Sequence, residues 1–124
     1  GTHAVAEGRD VGAAGNLLEN SGVPTAMVAA FEASAAAGHL AGRLQDALQA
    51  GIDAGGEAGP LRSANLIVAH VQSWPLVDLR VDWDDDPVAR LAELWRAYEP
   101  EMDAYVTRAL DPASAPSYGV PGDP

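Results

Sequence analysis

SANLIVAHVQSWPLVDLRVDW, residues 63–83, is the stretch whose reading decides the fold. Two apolar runs meet at Gln72-Ser73-Trp74-Pro75, a cluster of turn-prone residues, and the arrangement predicts a β-hairpin. The two runs differ in kind. Asn65 to Val71 carries Leu66, Ile67, Val68 and Ala69 in succession, the pattern of a strand buried on both faces. Val77 to Trp83 alternates strictly, so Val77, Leu79, Val81 and Trp83 are expected on one face and Asp78, Arg80 and Asp82 on the other.

Downstream, Asp84-Asp85-Asp86-Pro87 reads as a helix start, with Asp86 as N-cap, Pro87 in the first helical position and the other acids at the positive helix end. A helix over 87–98 would bury Val88, Leu91, Leu94, Trp95 and Tyr98. Pro100 interrupts it, and Met102, Tyr105, Val106, Ala109 and Leu110 continue at helical spacing to Asp111-Pro112. Residues 113–124 read as an extended Pro/Gly-rich tail. Upstream, Pro24 opens a helix over 24–37 with Met27, Val28 and Phe31 in its apolar stripe. Leu40, Leu44, Leu48 and Ile52 mark a second over 39–54, stopped by Gly55-Gly56. Residues 57–61 form a loop. Thr2 to Glu7 reads as a short strand, while Gly8 to Asn16, with Gly at 8, 12 and 15, is expected to be turn or loop and does not match GxGxxG.

The chain has 124 residues, enough for one domain and too few to expect two. It lacks Cys, so disulfides, thiolate metal ligands and thiol nucleophiles are excluded and the redox compartment is unreadable. The seven basic residues are all Arg, and eighteen acids give a net charge of -11, which is expected to repel nucleic acid and anionic membrane surfaces. No apolar run approaches the roughly 20 residues of a membrane span, and GTHAVAEGRD lacks the regions of a signal peptide. The expectation is a soluble protein, with the cytoplasm as default compartment. The initial Gly suggests processing or an absent upstream part.

Three His, at 3, 39 and 70, show no metal-ligand spacing, and neither metal nor cofactor is expected. The acids at 82 and 84–86 lack the calcium-loop pattern, and helix capping accounts for them. Asp78, Arg80 and Asp82 have two readings: a solvated face with ion pairs, or a polar cleft wall in which carboxylates held by a guanidinium orient a substrate amine. Arg62-Ser63, at the mouth of the first strand after a Gly-rich loop, forms a second polar candidate. Thr2 could act as an amide-cleaving nucleophile through its own amine only if Gly1 were removed.

Several segments together resemble a known family: AAGNLL at 13–18, the Ala-rich helices ending in Gly55-Gly56-Glu57, GPLRSANLIV at 59–68, WPLVDLRVDWDDDPVARLAELW at 74–95, and the run from Tyr98 to the C-terminus. Their order and spacing resemble the C-terminal half of the bacterial family named domain of unknown function 1028, whose members have an Ntn-hydrolase-like fold. Gly15-Asn16-Leu17-Leu18 fits the family motif, Ala14 departs from the Gln that precedes it in many members, and Val77 to Asp82 keeps the Val-Asp-Leu-Arg-Val-Asp motif in full.

The resemblance implies an α+β fold, part of an αββα sandwich, in which this chain supplies the helical pair at 24–54 and the hairpin at 64–83. Residues 1–98 would form the C-terminal part of the Ntn-like domain, and 99–124 a helix with its tail. The nucleophile of an Ntn hydrolase, a first Thr, Ser or Cys, would lie outside this chain. On that basis Asn16 is a candidate oxyanion or amide donor, Asp78, Arg80 and Asp82 are candidate orienting groups in catalysis, and Glu57, Arg62 and Ser63 are candidate substrate-binding residues. The alternative is a non-enzymatic binding or assembly module that docks through residues 84–124, with Trp95, Tyr98, Tyr105 and Tyr118. Either way the expected partner is a second copy or a complementing N-terminal half, because the apolar face of Leu66, Val68, Leu79 and Val81 would otherwise lack cover.

Overall fold

The computed structural model describes residues 1–34, 38–117, 119 and 121. The fold is α+β, built from two β-hairpins laid on one layer of helices. Strands β1 (Thr2–Gly8) and β2 (Val11–Leu18) pair antiparallel, helices α1 (Val23–Ala33) and α2 (Leu40–Asp53) follow, and β3 (Ala64–Val68) pairs antiparallel with β4 (Val77–Val81). Helix α3 (Pro87–Tyr98) leads through a 3-10 turn at Glu99–Glu101 into α4 (Met102–Leu110).

The expected loop from Gly8 to Asn16 is instead mostly β2. Its glycines and alanines carry no β-branched signal, and tertiary packing settles the conformation. Ala4, Ala6, Ala13 and Gly15 are half-buried toward the helices, and α1 packs against both strands. Gly8 allows that close approach, since a Cβ there would sit 2.1 Å from the Glu32 carboxylate and 2.5 Å from Val28. The same carboxylate accepts the Arg9 N–H at 2.7 Å, tying the hairpin turn to α1.

Helix α1 starts at Val23 with Pro24 in its first turn; its expected last residues, 35–37, lie outside the described residues. His39 caps α2 by accepting the Ala41 N–H on Nδ1 at 3.0 Å, and its ring lies 5.2 Å from that of Trp95. The helix closes in a Schellman pattern: Gly56 N–H bonds Gly51 O at 2.9 Å and Gly55 N–H bonds Ile52 O at 3.0 Å. Gly55 and Gly56 both have positive φ, 129° and 60°, which only glycine adopts without strain. Asn20 locks this end to the β2–α1 loop, donating to Ala54 O at 2.8 Å and accepting from Gly22 N–H at 2.9 Å.

The hairpin at the heart of the sequence forms in the register Leu66 opposite Leu79, with strands shorter than expected. His70 lies beyond β3 rather than within it, and is exposed. β3 is not buried on both faces: Leu66 and Val68 are buried, whereas Asn65 and Ile67 are exposed, so it alternates just as β4 does. Trp83 falls past the end of β4 and is 78% exposed, leaving the apolar face to Val77, Leu79 and Val81.

That apolar face does not lack cover. Leu66, Val68, Val77 and Val81 form one core with Ala41 of α2, Leu91 and Trp95 of α3 and Met102 of α4. Helix α3 supplies much of it and begins as the sequence indicates: Asp86 accepts the Ala89 N–H at 3.2 Å and Pro87 occupies the first turn. Its far end is pinned where the Tyr98 hydroxyl donates to Leu76 O at 2.8 Å. The uncovered surface is the opposite side of the sheets, where Val5 is 77% and Ile67 54% exposed.

Candidate functional site

The irregular point of the first hairpin is the family-like motif itself. Gly15 pairs with Ala4 and Leu18 with Thr2, so Asn16 and Leu17 together oppose His3 in a β-bulge. Leu17 takes φ of 52°, a left-handed conformation that costs a bulky residue energy and that bulges of this kind carry. The extra residue restores Leu18 to the buried side and leaves Asn16 and Leu17 on the exposed one. On the edge of β2 away from β1, Glu57 bridges Leu18, Ala58 N–H donates to Leu17 O at 2.7 Å, and Glu19 N–H donates to Gly56 O at 2.9 Å. The Schellman glycines therefore deliver Glu57 to the bulge.

Asn16 and Glu57 share the rim of a cavity of about 250 Å³ whose floor is Val23, Met27, Leu48 and Ile52. An amide and a carboxylate at the mouth of an apolar hollow can fix a polar group of a ligand while the floor takes its apolar part. The sequence does not announce the bulge, because a Gly points to one only inside a strand pattern and Gly8 to Asn16 reads as turn or loop.

The other candidates lie elsewhere. Asp78 and Arg80 are exposed on the uncovered face of β4, and Arg80 meets Asp82 at 3.6 Å, with both side chains largely in solvent. Such a pair contributes about 0.2–1 kcal/mol at most. Arg62 pairs with Asp85 and lies 5.5 Å above the Trp83 ring, while its carbonyl accepts Asp84 N–H at 2.9 Å. It thus joins the entrance of β3 to the start of α3. Ser63 is exposed beside it. The structure brings Asn16 and Glu57 to one cavity, places Asp78 and Arg80 on the bare face of the second hairpin, and engages Arg62 within the scaffold.

A second cavity, of about 240 Å³, shares the lining residues Met27 and Leu48 with the first. Its walls are Val11, Gly12 and Ala13 of β2 on one side and Asn65, Leu66 and Ile67 of β3 on the other. Gln45, buried at its base, donates to Val88 O at 3.0 Å. Among the described residues no three His, Asp or Glu side chains cluster as a metal site would require, and no helix is long and apolar enough to cross a membrane.

Residues 1–91 match the model of DUF1028, a family of unknown function. The chain belongs to this family. A solved DUF1028 structure, protein SPO2555 from Silicibacter pomeroyi, is similar at 35% sequence identity with a TM-score of 0.59. The match covers 70% of the present chain and 37% of the other, so the chain spans well under half the length of that DUF1028 protein. No curated protein matches. The DUF1028 model takes in both hairpins, α1 and α2, and the start of α3.

Proposed function

We propose that this chain forms one αβ layer of an Ntn-hydrolase-like protein that cleaves amide bonds, with the nucleophile supplied from outside these residues. The observation that carries the reading is the one-sidedness of the sheets. Both hairpins bury one face on helices and leave the other open, and the open side holds Asn16, Asp78 and Arg80. In an αββα sandwich that side meets a second sheet, and the space between carries the reacting groups.

The chemistry assigned to this layer is polar positioning. The first Thr, Ser or Cys of the mature protein adds its side-chain oxygen or sulfur to the amide carbonyl while its own amine takes the proton. The Asn16 amide, held outward by the bulge, donates to the oxyanion, and Asp78, Arg80 and Asp82 orient the substrate's polar groups. The substrate side chain is assigned to Glu57 at the cavity rim and to Arg62 and Ser63 at the entrance of β3. The test is to determine the N-terminal residue of the mature protein and assay it against amide substrates. An initial Thr, Ser or Cys whose replacement by Ala abolishes turnover, and an Asn16→Ala variant slowed by about 10²–10³ in kcat, support the reading. A mature protein with another first residue and no turnover would overturn it.

A binding or assembly role remains the second reading, favoured by one observation. Tyr105 and Leu110 of α4 are exposed, and Met102 is the buried residue of that helix. Tyr118, the last aromatic of the expected docking arm, lies outside the described residues. Removal of residues 99–124 lowers the mass in sedimentation if this arm docks, and leaves it unchanged if it does not.

A further inference from the structure

We propose that the trough between β2 and β3 is the seat of an extended segment from the part of the DUF1028 fold outside these 124 residues, and that this segment joins the two hairpins into one sheet. The proposal concerns assembly and does not depend on the hydrolytic reading.

Each hairpin uses one edge of each strand for its own pairing. Among the described residues, β2 pairs with β1 and β3 with β4, so the other edges of β2 and β3 carry backbone N–H and C=O groups without a ladder partner. Those two edges are the walls of one cavity, lined by Val11, Gly12 and Ala13 opposite Asn65, Leu66 and Ile67. The helices beneath them are in contact, α1 under the first hairpin packing on α2, which lies with α3 under the second. They therefore border one cavity over shared apolar side chains.

The chain itself shows that this edge of β2 takes a neighbour. Leu18 has Thr2 on one side and Glu57 on the other, so residues 56–58 already run along the trough side of β2 at one end. Beyond Leu17, through to Val11, no described residue pairs with that edge. Neither Lys nor Pro occurs in β2 or β3, and the bulge at Asn16-Leu17 lies at the other end of β2 from Val11, Gly12 and Ala13. The floor of Met27, Phe31, Leu44 and Leu48 asks for apolar residues at alternate positions of the occupant, with its backbone completing ladders on both sides.

The occupant is assigned by length. The match spans 37% of the Silicibacter pomeroyi chain, so most of that DUF1028 protein is polypeptide with no counterpart among the matched residues. A second copy of this chain would have to release one of its own paired strands to fill the trough.

The test mixes the full 124-residue chain with the portion of the Silicibacter pomeroyi protein outside the match, expressed separately, and follows amide hydrogen exchange by mass spectrometry. The same experiment is run with the relative divided at the equivalent boundaries, so that both parts come from one sequence. The expected result is a 1:1 complex in which amides of residues 11–16 and 64–68 together slow by about ten-fold or more, as edge groups do on entering a ladder. Met27→Trp, which fills the trough floor, should abolish the complex while the isolated variant keeps its helical circular dichroism. Failure of both pairings to associate, a complex that protects neither edge, or protection that grows with the concentration of this chain alone would each overturn the proposal.

Discussion

Leu91 is the residue on which the helical layer and the second hairpin depend most. It is fully buried, belongs to the core shared by α2, β3, β4 and α3, and also lines the trough between the hairpins. Leu91→Ala removes a side chain with no solvent exposure, and such truncations cost about 2–5 kcal/mol, the larger values where the site cannot collapse. Its surroundings set where in that range it falls. On one side Val77, with no exposure, and Val81 belong to a sheet held in register and cannot move inward singly. On the other side the open trough lets Leu44 and Leu48, only partly buried, relax toward the gap. A cost of about 3 kcal/mol is therefore expected, near the middle of the range. For a chain of this size that lowers the melting temperature by roughly 10 °C. Urea unfolding followed by the fluorescence of Trp95, which sits in the same core, gives the difference directly. A loss below about 1 kcal/mol would mean that α3 does not pack on this hairpin, and the layer would have to be redrawn.

Gly56→Ala places a Cβ at φ of 60° and should destabilise by about 1–2 kcal/mol, whereas Gly59→Ala, an open position with nothing within 4 Å, should be nearly silent in the same denaturant titration. The Tyr98 hydroxyl titrates above its ordinary 10.0, first because burial disfavours the phenolate and then because Tyr105 lies beside it. A raised pKa means that the unfolded chain ionises first, so this contribution to stability is whole below pH about 10 and is lost as pH rises through the folded value. Tyr98→Phe should therefore lose the hydrogen bond to Leu76 O at neutral pH and show a shallower alkaline decline than the parent, read by thermal melts between neutrality and the alkaline limit.

Strong local signals in the sequence carried over into structure. The Asp86-Pro87 start of α3, its end at Tyr98, the Gly55-Gly56 stop of α2 and the hairpin turn between residues 68 and 77 all rest on caps, fixed φ or glycine. The first hairpin was hidden because the middle of its β2 strand, residues 12–15, is Gly and Ala with no strand preference of its own, and because Gly8, which reads as a turn signal, serves to let α1 approach. The apolar run of β3 misled in a different way. Ile67 looks like core, yet period-two geometry sends it to the side opposite Leu66 and Val68, where the described residues supply no cover. Trp83 failed as a core residue because β4 ends at Val81 and the chain turns toward Asp86 before its side chain can reach the helices.

Of the candidate site, the motif around Asn16 was visible and its bulge was not, since the extra residue is defined only against its partner strand. Glu57 entered through the family resemblance, and its place beside Leu18 depends on two positive-φ glycines that no local pattern connects to β2. Arg62 and Asp85 are 23 residues apart, a separation at which pairing is a property of the fold.

If this chain forms the layer proposed above, its open sheet face is covered in a full-length DUF1028 protein. Hydroxyl-radical footprinting of Val5 and Ile67, compared between the isolated chain and a complete DUF1028 protein at the equivalent positions, tests it most directly, with Trp83 as an exposed reference. Strong labelling of both residues in the isolated chain, falling sharply in the complete protein, is the predicted result. Equal labelling in the two would show that the face stays open to solvent and would contradict the account.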